Sequence, residues 1–182
     1  MAGGLRAWQG LKAEGSPEVA MNYFGRAAST EEFIALAWLL EEGTRKFYHE
    51  LAGKLDHQGV VVLFADLAQA EEHHKAILQG LYVELTGNNA PGVVENLSGS
   101  LADGGEAIEG GVRLEDALHW TRGKDEKSIL EFSISLEANA YDRYLLMWRN
   151  VSGESSKRVF RSLSKAEKHH LERLTDALDA LL

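Results

Sequence analysis

The strongest constraint on this chain is a repeat that sets ionisable residues at one spacing twice over. Ala70-Glu71-Glu72-His73-His74 recurs as Ala166-Glu167-Lys168-His169-His170, 96 residues later. At the same offset, Leu40 to Tyr48 lies over Leu136 to Tyr144, Phe64 over Phe160, Leu67 over Leu163 and Leu78 over Leu174. In each half a Glu is followed 30 residues on by Glu-x-x-His: Glu41 to Glu71 and His74, then Glu137 to Glu167 and His170.

The apolar residues around these positions recur every three to four residues, which is a helical period. Ser29-Thr30-Glu31-Glu32 has capping-box spacing and should start a first helix running to about Lys54. Its inward seam reads Ile34, Ala37, Glu41, Thr44, Tyr48, Leu51, Leu55. After the turn residues Asp56-His57-Gln58-Gly59, a second helix carries Phe64, Leu67, Glu71, His74, Leu78, Leu81, Leu85 and ends at Thr86 to Pro91. Residues 87–112 are rich in Gly, Asn and Ser and read as one long connection, with a short helix at Leu114–Thr121 within or ending it. A third helix over Lys124–Arg149 has the seam Leu130, Ser133, Glu137, Ala140, Tyr144, Met147, Val151. The fourth, after Val151–Ser155, has Phe160, Leu163, Glu167, His170, Leu174, Ala177, Leu181. Only two prolines interrupt the chain, which suits long helices.

Four carboxylates and two imidazoles therefore fall on the seams that face the core. Burying an unpaired carboxylate costs several kcal/mol, and four together repel. No Lys or Arg falls on any of the four seams, so bound cations are the expected counter-charge. The spacing brings the six residues level. Residue 56 is midway between Glu41 and Glu71, and residue 152 midway between Glu137 and Glu167, each at a turn. Each pair lies ~22 Å from its turn at about 1.5 Å rise per residue. Two antiparallel hairpins with equal arms then dock into a four-helix bundle with one two-metal layer, the connection over 87–112 running the length of the bundle. Two divalent cations would neutralise four carboxylates. The ligand set suits iron, with manganese or zinc as substitutes.

The composition excludes several classes. A net charge of -9 over 182 residues leaves no basic face for nucleic acid. The absence of cysteine removes disulfides, thiolate catalysis, zinc ribbons and iron–sulfur clusters, and is compatible with a cytoplasmic setting. No apolar run approaches the length of a membrane span, and no signal peptide is visible at the N-terminus.

The motifs Glu41-x-x-Thr44-x-x-Phe47-Tyr48, Glu71-x-x-His74, Glu137-x-x-Ala140-x-x-x-Tyr144 and Glu167-x-x-His170 resemble the rubrerythrin branch of the ferritin-like di-iron carboxylate proteins, over roughly residues 29–182. The resemblance implies an all-α, ferritin-like four-helix bundle and a non-haem di-iron protein that reacts with hydrogen peroxide or dioxygen. It implies Glu71 and Glu167 as bridging ligands, Glu41 and Glu137 as terminal ones, and His74 and His170 one per iron. It also implies a homodimer. The alternative is an iron-binding or ferroxidase protein without dedicated peroxidase turnover. Two departures stand out: the chain as given carries no four-cysteine rubredoxin domain, so reductant would come from a separate electron-donor protein. Ala140 also stands where the family has an extra Glu linked to redox-driven iron movement, which counts against efficient peroxide reduction.

Tyr48 and Tyr144 lie two turns beyond Glu41 and Glu137 on the same face, placed to hydrogen-bond carboxylates just outside the ligand set, to donate electrons or simply to pack. Thr44 and Ala140 are small and would leave room above the metals for a diatomic molecule or peroxide. His73 and His169 point about 100° away from the ligands, and His49, His57 and His119 should face solvent. Trp38, Trp120 and Trp148 read as packing residues or part of a dimer face. Residues 1–24 form a separate arm before a bundle over 25–182. Within that arm, Gly3-Gly4-Leu5-Arg6-Ala7-Trp8-Gln9-Gly10 resembles the end of a rhodanese domain, whose sulfurtransferase chemistry would need a cysteine.

Overall fold

In the computed structural model, residues 29–102 and 105–181 are described. The arm over residues 1–24, with its rhodanese-like segment, lies outside them. Among the described residues six α-helices follow in order: α1 (Thr30–Ala52), α2 (Gln58–Thr86), α3 (Val93–Leu101), α4 (Leu114–Trp120), α5 (Glu126–Asn150) and α6 (Glu154–Asp179). The local chemistry sets their ends. Ser29 is extended, and its Oγ accepts from the Glu32 N–H at 3.2 Å, opening α1. Asp125 does the same for α5, accepting from the Ser128 N–H at 2.8 Å. Gly87 closes α2 in the left-handed conformation at φ 68°, which its missing Cβ permits.

The loop over 53–57 folds α1 and α2 into one antiparallel hairpin, and the loop over 151–153 folds α5 and α6 into the second. The architecture is the all-α four-helix bundle the seams imply, of the ferritin-like form the resemblance implies. Every seam residue from Ile34 to Leu51, Phe64 to Leu81, Leu130 to Met147 and Phe160 to Leu174 is buried. Only the fringe departs from expectation: Leu85 is 40% exposed near the end of α2. Two large clusters make up most of the apolar core, with a small third one of Leu36, Leu40 and Ala107. One part gathers Phe47, Leu51, Phe64, Leu67, Leu130, Phe132 and Leu174; the other Ile34, Leu78, Leu81, Met147, Phe160 and Leu163. This division places the two hairpin turns at opposite ends, so the α2–α5 connection must travel the bundle's length. Each of these large side chains contributes roughly 1.5–3 kcal/mol by burial.

The connection is more ordered than its composition suggests. Residues 93–101 form helix α3 rather than loop. Val93, Val94, Leu97 and Leu101 sit at helical spacing and pack against the second core cluster, overriding the poor propensity of Ser98, Gly99 and Ser100. Further on, Ala107 and Arg113 pair as an isolated antiparallel bridge around a 3-10 turn at Glu109–Gly111. Gly110 and Gly111 adopt φ of 77° and 73°, so this turn needs both glycines. The resulting strap lies between α1 and α5. At Gly43 a Cβ would stand 2.0 Å from the Ala107 carbonyl oxygen, so only glycine admits the strap there. Among the described residues, no helix is long and apolar enough to cross a membrane.

Candidate metal centre

Each of the four long helices delivers its ionisable seam residues to one layer between the two core clusters. Glu41, Glu71, His74, Glu137, Glu167 and His170 are all buried, none more than 4% exposed. They form two overlapping groups, Glu41 with Glu71, His74 and Glu167, and Glu137 with Glu71, Glu167 and His170. His74 Nδ1 lies 2.9 Å from Glu71 Oε2, 3.1 Å from Glu167 Oε1 and 3.4 Å from Glu41 Oε2. His170 Nδ1 lies 3.1 Å from Glu167 Oε2, 3.2 Å from Glu137 Oε2 and 3.6 Å from Glu71 Oε1. Glu71 and Glu167 thus each turn one oxygen to either half. The two imidazoles stack with centroids 5.3 Å apart.

Three of these contacts have hydrogen-bond geometry, but hydrogen bonding does not account for the whole set. One ring nitrogen can donate a single proton, yet each faces three carboxylate oxygens. Both Glu167 oxygens lie within 3.1 Å of an imidazole nitrogen, but neither has a hydrogen-bond partner in acceptable geometry. Donor atoms that converge on a common point, rather than on one another, produce that pattern. Ligands about 2.1 Å from an ion are separated by about 3.0 Å in an octahedron and about 3.4 Å in a tetrahedron. The observed spacings match these edges. The residues present fit a metal ion in each half, and a carboxylate-rich set with one imidazole per half suits a hard or borderline divalent cation.

Without metal, protons take part of that neutralising role. Burial pushes the Glu71 carboxyl well above its usual range, with the charges of Glu41 and Glu167 adding to it. Burial also raises Glu137, against the His170 hydrogen bond, to about 7. Glu41 goes the other way: burial opposes its ionisation, but hydrogen bonds with Glu71 and His74 hold it at about 2. Burial disfavours the His170 cation, yet the hydrogen bond with Glu137 and the adjacent Glu167 carboxylate outweigh this and lift it to about 10. His74 is likewise lifted well above the histidine range, burial being overcome by the charges of Glu167 and Glu71. Metal loading must expel these protons.

The two tyrosines cross the bundle. Tyr48 of α1 donates its O–H to Glu137 Oε1 on α5, and Tyr144 of α5 donates to Glu41 Oε1 on α1. Each fixes the outer oxygen of a carboxylate and leaves Oε2 facing the centre. His73 and His169 are exposed, as are His49, His57 and His119. Trp120 packs on Phe132, while Trp38 and Trp148 carry Lys75 and Arg161 on their faces.

Two buried groups were not expected. Arg143, 5% exposed, donates from Nη2 to Glu41 Oε1 at 2.8 Å and from Nη1 to Glu109. The seams contain no cation, but Arg143 precedes the seam residue Tyr144 and reaches in, so bound cations are not the sole counter-charge. Glu109 comes from the strap; its N–H donates to Thr44 Oγ1 at 3.0 Å. The room expected above Thr44 is therefore taken by the strap. Arg143 had a signal in the sequence, because it occupies the position of Phe47 in the repeat, a buried aromatic exchanged for a cation. Glu109 had none beyond its place before a Gly-Gly pair.

Residues 32–127 and 128–181 match the rubrerythrin family. The fold is similar to that of a hypothetical protein from Pyrococcus furiosus, with 23% identity over 85% of this chain and 90% of that one and a TM-score of 0.64. No curated protein matches this chain. With the family match spanning nearly all the described bundle and the carboxylate–imidazole layer in place, the chain belongs to the rubrerythrin family.

Proposed function

We propose that this chain is a non-haem di-iron oxidoreductase that reacts with hydrogen peroxide or dioxygen. The observation that carries the reading is the shared pair, Glu71 and Glu167, each turning one oxygen to His74's half and the other to His170's. That arrangement suits two ions side by side, with Glu71 and Glu167 bridging, Glu41 and Glu137 terminal, and one imidazole each. Two ferrous ions held there would supply the two electrons that reduce hydrogen peroxide to water. The protein's part is to hold six donors in a dry layer so that little reorganises during the reaction. Tyr48 and Tyr144 keep the terminal carboxylates oriented through their hydrogen bonds and are the nearest phenolic hydrogen donors to the layer. Electrons would return from a separate donor protein.

The test is anaerobic iron loading followed by rapid mixing with hydrogen peroxide and, separately, with oxygen. Oxidation of both irons in one fast phase with either oxidant, lost in Glu71→Ala, supports the reading. Iron that oxidises no faster than free ferrous ion contradicts it. Oxidation that stops after one turnover, even with reductant supplied, assigns the chain to iron binding and ferroxidase action instead.

A further inference from the structure

We infer that the two halves of the centre hold metal unequally, Glu137 with His170 forming the tight position and Glu41 with His74 the weaker, exchangeable one. The inference rests on the dinuclear reading above. It comes from the place where the internal repeat breaks around the ligands. Tyr48 matches Tyr144, and each bonds the opposite terminal carboxylate. Phe47, however, matches Arg143. Phe47 packs its ring edge-on to Phe132 at 5.8 Å and 90°, within the first core cluster. Arg143 instead places its guanidinium 2.8 Å from Glu41 Oε1, the oxygen that already accepts from Tyr144.

A fixed cation against one carboxylate oxygen acts on metal bound at the other in two ways. It draws charge out of the ligand, and it repels the incoming ion directly across a low-dielectric layer. Glu109 answers Arg143 from its far side and keeps the guanidinium buried; its second oxygen has no hydrogen-bond partner. That pairing lessens the repulsion but does not return the share of Glu41 that Arg143 holds. Arg143 is thus a positioning residue. An interaction of this kind separates the two affinities by about tenfold or more. One divalent ion stays with the protein while the second is drawn from, and returned to, the surrounding pool.

The experiment is an anaerobic titration of the metal-free full chain with ferrous ion against a competing chelator. The expected isotherm has two steps at least tenfold apart. Glu137→Gln should abolish the tight step and Glu41→Gln the weak one. Arg143→Gln should tighten the weak step at least threefold and leave the tight step unchanged, a gain that a merely structural role would not produce. Binding of two ions in one step, the reverse assignment of the ligand variants, or equal loss at both steps in Arg143→Gln overturns the inference. If Arg143→Gln does not fold, the wild-type isotherm and the two ligand variants decide. Saturation below two ions would sink the dinuclear reading itself, whereas two ions of equal affinity would sink only the inequality.

Discussion

Glu137→Gln should stabilise the metal-free protein at pH 7 while weakening its hold on metal. Burial lifts the folded-state pKa of Glu137 from 4.5 to about 7, so the fold disfavours the ionised carboxylate. The sign follows from linkage: below pH 4.5 the group is protonated in both states and carries no penalty. Between 4.5 and 7 the unfolded chain ionises while the folded one does not, and stability falls; above 7 the penalty is constant. Its size is about 3 kcal/mol at pH 7 and about 1 kcal/mol at pH 5. Gln keeps an acceptor for the Tyr48 O–H and has no proton to lose. The variant-minus-wild-type stability should therefore become more favourable by about 2 kcal/mol between pH 5 and pH 7, or roughly 4–8 °C in Tm for a chain of this size. Urea unfolding of both proteins, stripped of metal by chelation, measures it. Parallel pH profiles for wild type and variant would refute the reasoning, because they would mean that the Glu137 carboxyl titrates normally inside the bundle.

Two further outcomes follow from other parts of the structure. Gly43→Ala would drive a Cβ to 2.0 Å from the Ala107 carbonyl, so it should cost about 1–3 kcal/mol and loosen the strap; thermal unfolding and faster hydrogen exchange at Glu109 would register this, and an unchanged Tm would count against the strap's close seat. Glu42 shows the opposite pH sign from Glu137: burial raises it, but hydrogen bonds from Arg45 and Lys75 outweigh this and bring it to about 2. Its contribution is present above pH 4.5 and lost as pH falls toward 2, so Glu42→Gln should flatten the acid limb of the stability curve by on the order of 2 kcal/mol.

Much of this was legible in the sequence because burial and periodicity carry it. An apolar seam of alternating three- and four-residue steps fixes which face of a helix is covered. Glu41, Glu71, His74, Glu137, Glu167 and His170 stand on those seams, so their convergence follows from spacing and equal hairpin arms. Helix α3 was hidden because Gly99 and the two serines lower local propensity, while the packing that rescues it is tertiary. Arg143 was hidden for a different reason. A long side chain can start beside a seam and end inside it, so position on the helical wheel does not fix where its charge lies. Glu109 depends wholly on a strap conformation set by Gly110 and Gly111 and by the notch at Gly43. Local pattern does not encode a long-range seat of that kind, and the space expected above Thr44 was filled for the same cause.

If the six buried donors serve to hold two ions, the occupancy of the layer can be counted. Equilibrium dialysis of the stripped chain against excess ferrous ion, without oxygen, followed by elemental analysis measures it most directly. About two irons per chain are expected at saturation, falling below one in Glu71→Ala, with a Tm that rises on loading. Saturation at well under one iron per chain in a fully folded wild-type bundle would contradict the two-ion role.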